Sequence, residues 1–381
     1  MPKNLVVCCD GTANEFKRDR TNVVRLFYTL VRDPQQVAFY HPGIGTMAAV
    51  GALTTWSREV TKLLGLAIGY GLEADICDAY VYIMNNFEPG DRLFLFGFSR
   101  GAYTVRIVTG LLRMYGLISP GNAPLVPYAI RMLMAVNRLH KGATKGPPAA
   151  PHEANAEKPQ DSKIKEIFGL ADAFRQTFCG LDCKPHFVGV WDTVSSVGWI
   201  ENPIHVPYTA TNADIAIARH AVSIDEHRAF FRTNLWALTE KGGPKDLKQV
   251  WFPGVHCDVG GGYPESESGL SKVALEWMLR EAIAAGLLTD STRVDTVLGR
   301  AGGGYVPPNP KADMHESLTP VWSIAEFIPK RHFNWDKKKD EYRMNLFGRR
   351  VIPPQSMIHQ AAYERGPEYQ QRLPADAIVV T

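Results

Sequence analysis

A chain of 381 residues, 45% hydrophobic and 21% charged, can bury a large core in one elaborated domain or two. Its formal net charge of +3 is too small for the electrostatic footprint of a nucleic-acid binder, so nucleic acid is not expected as a partner. Six cysteines without paired zinc spacing exclude a metal framework and read as reduced, mostly buried thiols.

The opening MPKNLVVCCDG runs straight into a strand, Asn4 to Cys9, with too short an apolar run for a secretory signal. The strand ends in a small polar loop, Asp10-Gly11-Thr12-Ala13-Asn14. Thr21 is placed to cap a helix whose apolar face is Val23, Val24, Phe27 and Leu30. Val37 to Tyr40 makes a second strand, closed by His41-Pro42-Gly43-Ile44-Gly45-Thr46. Residues 47–72 are apolar and dotted with glycine, and a helix carrying Ile76, Tyr80, Ile83 and Phe87 follows. The apolar stretches 42–57 and 63–72 are separated by Arg58, Glu59 and Lys62, and neither reaches the ~20 residues that span a bilayer. The chain therefore reads as soluble and cytoplasmic.

Arg92 to Phe98 is a continuous apolar run after the turn Glu88-Pro89-Gly90-Asp91, which suits a strand covered on both faces. From Tyr103 the spacing becomes helical, with Ile107, Val108, Leu111, Leu112 and Tyr115 on one side. Between them lies Gly97-Phe98-Ser99-Arg100-Gly101, a G-x-S-x-G elbow. A strand turning sharply into a helix thrusts its corner residue outward, and bulk two residues either side would collide with the packing. Glycine is needed at 97 and 101 for that reason. The alternation of strands and helices predicts a three-layer, α/β-hydrolase-like fold around a mainly parallel sheet of at least five strands.

Residues 141–163, rich in Lys, Pro and Ala, read as a flexible insertion in a single domain spanning 1–381. Ile164 to Phe178 looks helical, and Phe187 to Trp191 is a strand entering Asp192-Thr193-Val194-Ser195-Ser196. Residues 213–237 are expected to be helical. Gln249 to Val255 is a strand ending in His256-Cys257-Asp258-Val259-Gly260-Gly261-Gly262-Tyr263, and a helix over Leu270 to Ala285 stops at Gly286. Residues 287–381, with many Pro and Gly, are expected to wrap the core.

Strand ends thus offer Ser99, Asp192 and His256 in the order found in α/β-hydrolases. Open α/β sheets gather ligands at the carboxyl ends of their strands, where residues distant in sequence can meet. A serine hydroxyl needs a base, an imidazole serves near neutral pH, and a carboxylate fixes its tautomer. The oxyanion would rest on the amide of Arg100 and on that of Gly11 or Thr12, if the first strand lies beside the elbow strand. Asp10 is either a turn carboxylate accepting loop amides or an orienter of that loop. Asp258 could orient a loop, hold a cation or replace Asp192 as the acid. His220 and Asp225 fall on different faces of the expected helix, with Arg228 reading as an ion-pair partner of Asp225. His315 and His359 lie in the tail without ligand spacing. The chemistry needs no metal and no cofactor.

The combination CCDGTANEF, HPGIGT, LFLFGFSRGAYTVR, VGVWDTVSSVG, HAVSIDEHR and FPGVHCDVGGGY resembles bacterial α/β-hydrolases linked to the first class of type VI secretion lipase effectors. The resemblance runs from about residue 4 to 370. It implies a phospholipase A or carboxylester hydrolase with Ser99 in GFSRG as nucleophile, Asp192 in VWDTVSS as acid and His256 in GVHCDVGGG as base. It implies a lipid or small ester substrate, transient contact with a membrane surface, and export by type VI secretion with an immunity or secretion partner. A thioesterase or peptidase using the same triad, or a scaffold that keeps the fold, are the alternatives. The apolar stretch 43–72 reads either as core packing or as an acyl-chain wall or lid.

Overall fold

The computed structural model describes all residues except 12–19, 44–70, 144–158, 195–197, 200–201, 204–205, 229–230, 232, 319–325, 327–329 and 335–338. The expected lid over 43–72 and the loop residue Thr12 therefore fall largely or wholly outside the described residues. Among those described, eight strands form one sheet: β1 (Asn4–Cys9), β2 (Gln36–His41), β3 (Arg92–Phe98), β4 (Pro185–Trp191), β5 (Ile217–Ser223), β6 (Asp246–Phe252), β7 (Met357–His359) and β8 (Ile378–Val380). They lie in the order β2-β1-β3-β4-β5-β6-β7-β8, and each neighbouring pair is parallel.

Helices α1 (Asn22–Thr29), α2 (Leu72–Asn86), α3 (Arg100–Tyr115), α4 (Val126–Ala143), α5 (Pro159–Phe178), α6 (His256–Gly260), α7 (Gly269–Ala284) and α8 (Ser291–Val297) cover the two faces. The side-chain alternation of the strands decides which layer meets which. Leu5 and Val7 of β1 and Leu93 and Leu95 of β3 face a core built with α2, α3, α4 and α5. Val6, Cys8, Phe94, Phe96 and Phe98 face the opposite core, built with α1 and α7. Both faces of the central strands are buried, which is why their sequences are unbroken apolar runs. Thr21 caps α1, its hydroxyl accepting the Val24 amide at 3.3 Å.

The connection from β1 runs outward to β2, and the next returns past β1 to β3. Chain connections diverge between β1 and β3, and at such a switch point the loops leave a crevice beyond the carboxyl ends of the strands. Asp10-Gly11 and the Ser99 elbow border that crevice.

The structure departs from the sequence reading in several places. Residues 217–223 are not helical but form β5, in the middle of the sheet. Ile-Ala-Arg-His-Ala-Val-Ser has little intrinsic strand preference, and pairing on both sides overrides it. The strand expected over 249–255 ends at Phe252, and 256–260 is a short helix. Of the expected insertion, 141–143 close α4 and 159–163 open α5, and 144–158 lie outside the described residues. The tail does more than wrap: it adds β7 and β8 to the sheet edge. Among the described residues no helix is long and apolar enough to cross a membrane.

Candidate active site

Ser99 joins β3 to α3 with φ +57° and ψ −119°, a backbone state that non-glycine residues rarely occupy. The strain persists because its surroundings leave no alternative. A Cβ on Gly97 would stand 2.6 Å from the carbonyl oxygen of Gly101, and one on Gly101 would stand 2.1 Å from that of Cys9. The elbow is thus pressed against the end of β1, its hydrogen-bonded neighbour. Arg100 opens α3, in the turn whose amides the helix does not itself use.

The loop after β1 is braced by Asp10. Its Oδ1 accepts the Gly11 amide at 2.7 Å, and its Oδ2 accepts the hydroxyls of Thr21 at 2.5 Å and Tyr40 at 2.9 Å. Of the two loop amides expected to face an oxyanion, that of Gly11 is therefore engaged by Asp10, and Thr12 is outside the described residues.

Asp192 follows β4, with φ +37°, and its amide donates to the Ala221 carbonyl at the end of β5. Its carboxylate is fully buried and fully used. Oδ2 accepts Nδ1–H of His256 at 2.6 Å, and Oδ1 accepts the Ser223 amide at 2.9 Å. The guanidinium of Arg350 closes the remaining side, Nη1 to Oδ1 at 2.5 Å and Nη2 to Oδ2 at 3.0 Å. Burial alone would raise this carboxyl's pKa, but Arg350 and His256 outweigh it and hold the group well below the usual carboxylate range.

His256 begins α6, and its amide donates to Glu226 Oε2 at 3.1 Å. Its ring packs 4.6 Å from that of Phe98, the residue before Ser99, and edge-on at 4.8 Å from Phe231. Burial lowers its pKa, opposed in part by the hydrogen bond to Asp192. A neutral imidazole with its proton on the Asp192 side leaves Nε2 as an acceptor. Ser99, Asp192 and His256 thus gather at one rim of the sheet, with the serine amide donating to the carbonyl of Trp191, next to Asp192, at 3.1 Å.

The Asp258 carboxylate is engaged elsewhere. It accepts the Val255 amide at 3.0 Å, the His315 amide at 3.1 Å and His315 Nδ1 at 2.6 Å. It ties the start of α6 to the tail and does not touch His256 through its side chain. Asp10 and Asp258 both spend their oxygens on protein donors, and among the described residues no cluster of His, Cys, Asp or Glu is arranged to hold a metal ion. His220 is buried on β5, accepts the Thr193 amide at 3.2 Å, and is pushed down to about 3 by burial and by Arg106. Arg228 does not pair with Asp225: it forks onto Glu226 at 2.9 Å, and Asp225 is held by Arg372, by the Tyr369 hydroxyl and by the Gly254 amide.

Sequence reasoning missed Arg350, Ser223 and Glu226. Ser223 and Glu226 lie inside the quoted HAVSIDEHR, and reading that stretch as a strand end would have brought Ser223 to the rim. Nothing local marks Arg350, which is 158 residues from Asp192.

Comparison with known proteins gives a family. The model described as "T6SS, Phospholipase effector Tle1-like, catalytic domain" matches residues 3–281. An uncharacterized protein of Saccharomyces cerevisiae, YEL023C, is 31% identical over 239 residues, which is 60% of this chain and 32% of that protein. The chain thus spans less than half the length of that relative. A crystal structure of an uncharacterized protein from Pseudomonas aeruginosa aligns with 76% of this chain and 46% of that one, at 19% identity and a TM-score of 0.39. The family match takes in the elbow, Asp192 and His256 but stops before Arg350, β7 and β8. The chain belongs to the family of T6SS phospholipase effector Tle1-like catalytic domains.

Proposed function

We propose that the chain is a serine hydrolase of carboxylic esters whose substrates are the acyl esters of phospholipids. The observation that carries this reading is the 2.6 Å bond from His256 Nδ1 to Asp192, made by a ring that packs against the residue preceding a strained serine. The membership of a phospholipase family supports the substrate class.

The reaction is acyl transfer. His256 Nε2 takes the Ser99 proton as the serine oxygen attacks the ester carbonyl carbon, and Asp192 stabilises the imidazolium that forms. The oxyanion rests on the amide of Arg100 and on a second amide from the loop that follows β1. The tetrahedral intermediate collapses as His256 returns the proton to the leaving alcohol. Water, deprotonated by the same imidazole, then attacks the acyl-serine, and fatty acid leaves. No cofactor enters this scheme.

The segment that carries Arg350 also supports contact with a lipid surface. Met344, Leu346, Phe347 and Val351 are exposed on it, and Leu346 and Phe347 hold φ values of +46° and +61°. Two successive non-glycine residues in that region cost on the order of 1–2 kcal/mol each, and here they turn apolar side chains toward solvent. The family description also supports delivery by a type VI secretion system.

A fluorophosphonate probe and release of fatty acid from phospholipid vesicles test the reading together. Wild type should be labelled and should release fatty acid, and Ser99→Ala should do neither. Equal labelling of the two proteins refutes Ser99 as nucleophile, and turnover of short-chain esters alone refutes the lipid substrate.

A further inference from the structure

We infer that Arg350, which lies beyond the family-matched residues, is a positioning residue for this reaction: its guanidinium fixes the Asp192 carboxylate in the orientation that serves His256. The inference rests on the serine-hydrolase reading and adds a part that the triad motifs do not contain.

The contact is a fork, one guanidinium nitrogen to each carboxylate oxygen, the geometry that constrains both the distance and the plane of the acid. Arg350 does not stop there. Nη1 also donates to the Ser223 carbonyl at 3.1 Å and to Ser223 Oγ at 2.7 Å, and Nη2 donates to the Phe231 carbonyl at 2.7 Å. Ser223 in turn gives its amide to Asp192 Oδ1, and the Phe231 ring is the edge that meets the imidazole. One side chain from the tail therefore holds the acid, the strand end that supports the acid, and the backbone of the residue that walls the base. A lone aspartate after β4 has a rotatable χ1 and two free-turning oxygens. Pinned from both oxygens, it presents Oδ2 to Nδ1 of His256 and to nothing else that titrates near neutral pH.

Charge gives the proposal a signature that simple bracing lacks. A triad carboxylate facing only an imidazole would favour the imidazolium strongly. Arg350 places a second positive charge on the same carboxylate, so protonation of His256 is disfavoured. Two other titratable groups at the site, Glu226 and His220, also feel the Arg350 charge, which lowers both. Glu226 meets the His256 amide but is neutralised by Arg228, His220 is buried and neutral behind Thr193, and the Cys257 thiol is held protonated by burial. Removing the guanidinium should leave Asp192 both less ordered and more attractive to a proton on His256. Activity then falls, and its acidic limb moves to higher pH.

The test measures kcat/KM for an aryl ester across pH in wild type, Arg350→Ala, Arg350→Lys and Ser99→Ala, with circular dichroism and melting as the check on folding. Arg350→Ala should lose on the order of 10²-fold, mainly in kcat, as expected for a misplaced catalytic group. Its acidic limb should shift upward, and guanidinium ion added to the buffer should restore part of the rate to Arg350→Ala and none to wild type. Arg350→Lys keeps the charge without the fork, so it should lose rate with its limb near the wild-type position. A folded Arg350→Ala with wild-type kcat/KM and an unmoved limb overturns the proposal, as does an Arg350→Lys of full activity should the alanine variant fail to fold. Ser99→Ala separates the two readings: if it retains activity the hydrolase assignment fails, and if it is inactive beside a fully active Arg350 variant only the role of Arg350 fails.

Discussion

The ring of Phe98 fills the space that a side chain at residue 260 would need: a Cβ on Gly260 would stand 1.9 Å from Phe98 Cε2. Phe98 is the last residue of the elbow strand and Gly260 the last of the helix that begins with His256. The same ring packs, tilted, against the imidazole, with centroids 4.6 Å apart. The end of β3 and the start of α6 are therefore spaced by an aromatic ring wedged against a glycine.

Gly260→Ala tests that coupling. The added methyl meets a ring that is itself packed under His256, so α6 must move, and His256 with it. Overpacking of this kind costs about 1–3 kcal/mol, and kcat/KM should fall at least ~10-fold because placement of a catalytic group within an ångström governs rate. Pairing it with Phe98→Leu frees the space and should recover part of both losses, a non-additivity that a double-mutant cycle measures. Additive losses in the pair would show that Phe98 and Gly260 do not set the spacing.

How much of this arrangement the sequence announces depends on whether the cause is local. The elbow was legible because a buried strand, a strained corner and two close approaches all leave marks within ten residues: an apolar run, then glycines at 97 and 101. Asp192 and His256 were legible as polar residues at the ends of such runs. β5 was not, since Arg219 and His220 are buried there at the expense of partners far away, Glu281 and Asp246 for the arginine and Thr193 for the histidine. Alanine, arginine and histidine read as helix until those partners are known. Arg350 was hidden for the same reason, as an exposed-looking basic residue in a Gly- and Arg-bearing turn whose partner lies across the molecule.

The apolar residues on the Arg350 segment should matter only at an interface. Leu346→Asp with Phe347→Asp removes two exposed side chains without touching the core, so folding and hydrolysis of a soluble aryl ester should be unchanged. Fatty-acid release from phospholipid vesicles should drop several-fold, with weaker sedimentation alongside the vesicles. Equal losses on both substrates would mean that the segment serves the site and not the surface.

Acid stability follows from buried imidazoles. His256 and His220 are held below the ordinary histidine range chiefly by burial, His220 to about 3, and His359 is lowered to about 4 for the same reason. In each case the unfolded chain takes up its proton near pH ~6.5, before the folded one does. Below that value the unfolded state binds more protons, so stability falls as pH drops below about 6.5, toward 4 for His359 and toward 3 for His220. His315 runs the other way: Asp258 and Glu267 raise its pKa against the opposing effect of burial, so its contribution is present below pH ~6.5 and lost as pH rises through its folded value. Urea midpoints measured from pH 4 to 9 should show the first effect diminished in His359→Gln and the second abolished in His315→Gln. A His359→Gln profile parallel to wild type would contradict the assignment.

Asp192→Asn keeps the shape of the side chain but cannot stabilise the imidazolium, and a loss on the order of 10⁴ in kcat is expected. In a site where the acid faced only histidine, that variant would fold normally. Here it also strands the guanidinium of Arg350, which is largely buried and loses its counter-charge. Removing one partner of a buried pair costs about 3–5 kcal/mol, so Asp192→Asn should be clearly destabilised. Adding Arg350→Gln removes the orphaned charge and should return much of the stability while leaving the enzyme inactive. Asp258→Asn provides the contrast. It weakens the tie from α6 to His315 but leaves the His256–Asp192 bond intact, so activity should fall far less than in Asp192→Asn. Full activity in Asp192→Asn, with loss in Asp258→Asn instead, would transfer the role of acid to Asp258. Inactivity without destabilisation in Asp192→Asn would instead show that Arg350 does not depend on that carboxylate.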